Sequence, residues 1–302
     1  MEETPPLRPK NLWLLNYVNP LTERLGADFF RALPRTPGVY RFYGRAGDLL
    51  YVGKAKSLRE RVNSYRHAKP ESVSRKVLRM IQLAVRIEIE ELPDETAALL
   101  RENQLLRELK PPFNRVNTSP ESYPFIAIRV LHDLRSSGVH EVRFRFTTNP
   151  SKQGGDEQIY GVFRSKRLTG NALLALLRCL WLIQNQQERF AAPQRLSGPR
   201  PPLVFSLPVE PETLTQIRAF LLGRNKKLLE TLSFSLLTRE NLPRFLYTQI
   251  ESDLLVLKDF YEGPATLNQR LRQTFGLRTR VIKQEEIDDM RVKSSSHEVD
   301  PI

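Results

Sequence analysis

Between residues 40 and 114 the chain places Tyr40, Tyr51, Lys54, Arg61, Tyr65, Glu102 and Asn114 in that order. Hydrolysis of a phosphodiester needs a group that takes a proton from water, cations that meet the extra charge on phosphorus, and an oxygen ligand for a hard metal ion. These residue types supply all three. Tyr51 is the candidate general base, acting on water directly or through the surrounding hydrogen bonds. A phenol titrates near pH 10, so that role needs a neighbouring cation. Lys54, three residues on, is the expected source. Arg61 is the candidate clamp for the scissile phosphate, with Tyr65 one helical turn further on to orient it or to bond the phosphate. Glu102 is the candidate ligand for Mg²⁺ or Mn²⁺, cations satisfied by one carboxylate and several waters. Zinc would need a Cys/His set that the sequence lacks. Asn114, stiffened by Pro111 and Pro112, is the candidate for holding the tyrosine network or a water.

Each of these residues also has a plain structural reading. Tyr40 and Tyr51 suit cross-strand aromatic contacts, and Arg61 suits a solvated helix face. Glu102 suits a buried ion pair with Arg61 or Arg75, and Asn114 a turn after a helix. Glu102 is the most informative, because it lies three residues after Leu99 and four before Leu106, within the stripe that also holds Ala98, Leu105 and Leu109. A carboxylate in an apolar stripe is costly unless it is paired or bound to metal.

The elements that must hold these groups are legible from pattern. Residues 39–43 and 49–52 are β-rich runs on either side of turn chemistry, which puts both tyrosines on a hairpin. Ser57 can cap a helix reaching to residue 67, and 72–83 suits a second helix. Residues 85–92 alternate between apolar and charged, as a half-buried strand does. Asp94 can cap a helix that ends at Leu109 before two prolines. The order ββααβα predicts a small α/β sandwich. An N-terminal arm, 1–34, precedes it with a helical pattern over 22–33. Beyond it, 125–131 and 141–147 suit strands, 151–156 a polar loop and 169–186 an apolar helix. The Pro-rich stretch 193–211 suits a linker, and 212–222, 226–237 and 242–261 suit further helices. The polar tail, 285–302, is expected to be disordered.

Composition narrows the class. A formal charge of +13 over 302 residues favours a polyanionic partner. No apolar run is long enough to span a bilayer, and the acidic, Pro-rich start lacks the order of a secretory signal, so a cytoplasmic protein is expected. The one cysteine, Cys179, leaves no intramolecular disulfide and reads as a core residue.

The tripeptides Gly38-Val39-Tyr40 and Tyr51-Val52-Gly53, the run PGVYRFYGRAGDLLYVGKAKSLRERVNSY and the later RENQLLRELKPPFN resemble the GIY-YIG nuclease family, in particular its UvrC and Cho type. Ser122-Tyr123-Pro124 and Tyr160-Gly161-Val162-Phe163 continue the likeness in outline. The resemblance implies a GIY-YIG domain over 35–117, with a central antiparallel sheet flanked by helices. It further implies an α+β extension over 118–190, a linker over 191–211 and a helical region over 212–284. Tyr40, Tyr51, Lys54, Arg61, Tyr65 and Asn114 then fill the catalytic positions and Glu102 the metal position. The implied activity is a Mg²⁺-dependent incision of one DNA strand in nucleotide excision repair, with a UvrB-like helicase as a partner. The stretch 242–257 matches the helicase-binding hairpin poorly. Relatives carry a four-cysteine cluster where residues 186–211 have no cysteine, so no iron–sulfur centre is expected. A structure-specific or mobile-element nuclease, or a catalytically silent DNA- or partner-binding module, are the alternatives.

Overall fold

The computed structural model describes residues 17–114, 117–134, 138–150, 156–185, 193–238 and 243–297. The chain divides into two compact units, with boundaries after Ser119 and after Ser294.

The first unit opens with two short helices, α1 (Leu21–Leu25) and α2 (Ala27–Ala32), where one continuous helical stretch was expected. Gly26, at φ 79°, breaks it. The strands β1 (Gly38–Tyr43) and β2 (Leu49–Ala55) form the expected hairpin, and β3 (Arg86–Glu91) joins it on the far side of β1. The sheet order β2-β1-β3 leaves β2 on an edge. The helices are α3 (Leu58–Arg66), α4 (Arg75–Leu83) and α5 (Glu95–Leu109). Each starts on a side-chain cap: Ser57 accepts from Glu60 N–H, Ser74 from Val77 N–H and Asp94 from Ala97 N–H. Strand alternation then sends side chains to two faces. Tyr40 and Phe42 pack with Leu58, Val62, Tyr65 and Ile81 from α3 and α4. Val39 and Val52 pack on the other face with Leu105 and Leu106 of α5. The result is an α/β sandwich in the expected element order.

The second unit is built on an antiparallel sheet of order β6-β4-β5-β7. Its strands are β4 (Phe125–Leu134), β5 (Val139–Thr147), β6 (Gln158–Tyr160) and β7 (Val204–Val209). Its helices are α6 (Lys166–Gln184), α7 (Gln194–Ser197), α8 (Pro211–Leu221), α9 (Lys227–Leu237), α10 (Arg244–Phe260), α11 (Thr266–Thr274) and all but the last residues of α12 (Ile287–His297), with a π-helical turn at Tyr261–Ala265 between α10 and α11.

Three expectations are corrected here. The stretch read as a linker contains α7 and β7, and β7 pairs with β5 from His140↔Val209 to Arg145↔Val204. The extension and the helical region share one core, with Ile126, Leu173 and Leu176 packed among Leu207, Ile217, Leu232 and Phe260. The tail read as disordered includes α12, whose Ile287 and Met290 are buried with Tyr123, Val162 and Leu271. The start of the arm, residues 151–155 of the polar loop and residues 298–302 lie outside the described residues. Among the described residues, no helix is long and apolar enough to cross a membrane.

Candidate active site

The hairpin register explains why each tripeptide pairs a tyrosine with a glycine. Tyr40 lies opposite Gly53, and Phe42 opposite Tyr51. A Cβ on Gly53 would sit 2.4 Å from the Tyr40 hydroxyl and 2.9 Å from the Tyr51 ring, so only glycine lets both rings lie across the strand. A Cβ on Gly38 would sit 2.2 Å from the Glu90 carbonyl of β3. The glycines therefore set the tyrosines in place by leaving room.

Tyr40, Phe42, Tyr51 and Tyr65 form one aromatic cluster, with the Tyr40 and Tyr51 ring centres 6.1 Å apart. Tyr40 is 1% exposed. Its hydroxyl shares a hydrogen bond of 2.9 Å with that of Tyr65 and accepts one of 3.1 Å from Arg61 Nε. The Arg61 guanidinium also lies 5.2 Å from the centre of the Tyr65 ring. Arg61 is thus held from two sides by tyrosines and keeps its terminal nitrogens for another acceptor. Tyr51, Arg61 and Tyr65 line a pocket of about 380 Å³ together with Ser64, His67 and Lys76, whereas Tyr40 stays behind it. Burial raises the Tyr51 phenol well above its ordinary value, Tyr65 and Glu102 raise it further, and Arg61 opposes them. Tyr51 is therefore a neutral phenol at neutral pH.

On the edge of β2, outward backbone groups of alternate residues find partners outside the sheet. Phe113 N–H donates to Leu50 O at 3.0 Å. Asn114 clasps Val52 on both sides: Oδ1 accepts from its N–H at 3.0 Å and Nδ2 donates to its carbonyl at 2.9 Å. Glu102 Oε1 accepts the Lys54 N–H at 3.2 Å. Asn114 consequently fixes the peptide between Tyr51 and Gly53, rather than bonding a tyrosine.

Glu102 makes no ion pair among the described residues, and burial raises its carboxyl, with the Lys54 N–H, the Lys54 charge and Arg61 opposing. A carboxylate so placed suits a cation. Among the described residues, no three His, Cys, Asp or Glu side chains converge, so any ion here would take its remaining ligands from water and substrate.

Lys54 departs most from expectation. Its ammonium bonds Glu95 at 2.7 Å, and Lys56 bonds the same carboxylate at 2.8 Å. The cation beside Tyr51 is Arg61 instead. Sequence reasoning missed Glu95, although an acid at the first position of a capped helix was a visible signal. It also missed Lys76, which faces the pocket from α4.

Residues 36–115 match the family model described as the UvrC-like GIY-YIG domain. The chain is similar to the UvrABC system protein C of Maricaulis maris, 42% identical over 109 residues, which is 36% of this chain and 17% of that protein. It is similar to that of Rhizobium johnstonii, 38% identical over 56% of this chain and 23% of that protein. With that of Rhodopseudomonas palustris the likeness is 28% over 80% of this chain and 34% of that protein. The chain thus spans about a third or less of the length of these curated relatives. The crystal structure of the N-terminal endonuclease domain of UvrC from Thermotoga maritima, bound to magnesium, is 32% identical over 29% of this chain and 93% of that one, with a TM-score of 0.26.

Proposed function

Since residues 36–115 are a UvrC-like GIY-YIG domain, we propose that the chain is a divalent-cation-dependent endonuclease that hydrolyses one strand of DNA. The observation that carries this reading is the pocket in which Tyr51 and Arg61 stand together, with the unpaired Glu102 carboxylate close enough to act on the same phenol. Arg61 has free nitrogens for a scissile phosphate and meets the charge that develops on it. In its ionised form, which Arg61 favours and whose proton has gone to solvent, Tyr51 takes a proton from the attacking water as the water oxygen bonds phosphorus, while the P–O bond to the leaving strand breaks and the departing oxygen takes a proton from solvent. Tyr40 and Tyr65 hold Arg61 in line, and Asn114 holds the strand that bears Tyr51. Lys54 contributes its backbone N–H to Glu102. Glu102 would hold a Mg²⁺ or Mn²⁺ ion, which when bound supplies Lewis acidity and lowers the pKa of water.

The relatives are named as component C of a UvrABC system, which supports a role in nucleotide excision repair and a UvrB-like partner. A nicking assay with Mg²⁺ on a duplex with one bulky lesion, beside an undamaged duplex, tests this with and without such a helicase. Cation-dependent nicking near the lesion, lost in Tyr51→Phe and Glu102→Ala, is the expected result. No nicking under any condition, with DNA still bound, would overturn the enzyme reading; equal nicking of both duplexes would overturn the repair role.

A further inference from the structure

A concentration of basic side chains lies within the second unit. Arg218 is in the last turn of α8, and Leu222 N–H donates to its carbonyl at 3.2 Å. Gly223 then turns the chain at φ 72°, where a Cβ would meet the Ala265 carbonyl at 2.3 Å. The turn delivers exposed Arg224, Lys226 and Lys227. Arg272 comes from α11 to the same corner, its Nη2 donating to Leu222 O at 2.5 Å. Arg280 arrives from the other side, because Val281 bridges Gly161 and Ile282 N–H donates to the Gly161 carbonyl at 2.9 Å. Tyr160 stands among them: burial raises its phenol, while Arg218, Arg280 and Arg224 pull it down.

Among the described residues, none of these six cations makes an ion pair, and the Nε of Arg218 is buried without an acceptor. Like charges gathered from three elements repel one another, and Arg224 accordingly adds to burial in lowering Arg272. We propose that Arg218, Arg224, Arg272 and Arg280, with Lys226 and Lys227, form a site for the phosphate backbone of a nucleic acid. Guanidinium groups pair with phosphate oxygens in bidentate fashion. A membrane surface would require apolar anchors among the cations, and none of the exposed large apolar side chains lies within 216–228 or 270–283. The proposal rests on the reading of the chain as a protein that acts on DNA, and adds a grip on the polyanion independent of the incision chemistry.

The test is fluorescence anisotropy of a labelled duplex titrated with the full chain at several salt concentrations. Arg224→Ala/Arg280→Ala removes two exposed cations, and Arg224→Lys/Arg280→Lys keeps their charge. The alanine pair is expected to bind roughly tenfold more weakly, with the salt slope of log K reduced by about 2. The lysine pair should keep most of the slope, and both should melt as the wild type does. Unchanged affinity and slope in the alanine pair would overturn the site, as would an equal loss of slope in the lysine pair. Binding to phosphatidylserine vesicles in preference to duplex would overturn it in favour of a lipid surface. Nicking measured on the same samples separates the two readings. Arginine-dependent binding without wild-type nicking leaves this site standing and removes the endonuclease. Nicking with arginine-independent binding does the reverse.

Discussion

Burial raises the Glu102 carboxyl, so in the absence of metal the folded state holds this proton more tightly than the unfolded chain does. The associated stability is present in full below the unfolded value of about 4.3 and is lost as pH rises through the folded one. Glu102→Gln should therefore melt above the wild type at neutral pH without metal, and the gap should close in acid. Added Mn²⁺ should raise the melting temperature of the wild type alone; an equal rise in both would place the cation elsewhere. Tyr51 makes the complementary prediction about rate. Its phenol is raised well above the ordinary tyrosine range, so nicking should increase steadily from pH 6 to 9, and Tyr51→Phe should lower it about 10²–10⁴-fold. A flat pH profile in the wild type would remove Tyr51 as the base. The residue types of the site were legible in sequence because order and spacing carry them. The partner of Lys54 was not, because Glu95 is brought to it from 41 residues away by the crossing of α5 over β2.

The edge of β2 is the element on which the site depends. Asn114→Ala would leave the Val52 N–H and carbonyl without partners, costing about 1–3 kcal/mol per buried group. Urea unfolding and kcat measured together check this, and loss of activity without loss of stability would argue for direct contact with substrate. Gly53→Ala forces a methyl into the Tyr40 ring and should cost about 1–3 kcal/mol. It should also displace Arg61, whose Nε bonds that ring's hydroxyl. The helix starts were readable because a cap is a local bond across three residues, as at Ser57 and Asp94. Strand β7 was not, because proline at 199, 201, 202 and 208 speaks for a linker, and what makes the segment a strand is its distant partner β5.

At the scale of the molecule, the second unit is held by ion pairs between regions that read as separate in sequence. Arg178 of α6 bonds Asp253 of α10 at 2.8 Å, and Asp253 is 1% exposed. Asp253→Ala would strand the arginine and cost about 3–5 kcal/mol. Calorimetry should then show residues from 120–190 and 212–284 lost in one lowered transition, whereas two transitions would restore the separate regions. The sequence concealed this unity because apolar faces announce burial but not their partners. The same topology bears on how the chain is made. β5 waits for β7 while α6 and α7 are synthesised between them, so a product cut near residue 190 would expose the β5 edge from His140 to Arg145. An open edge recruits other strands. Fragments ending there should associate, and a cut at the unit boundary after Ser119 should yield the cleaner preparation of residues 1–119.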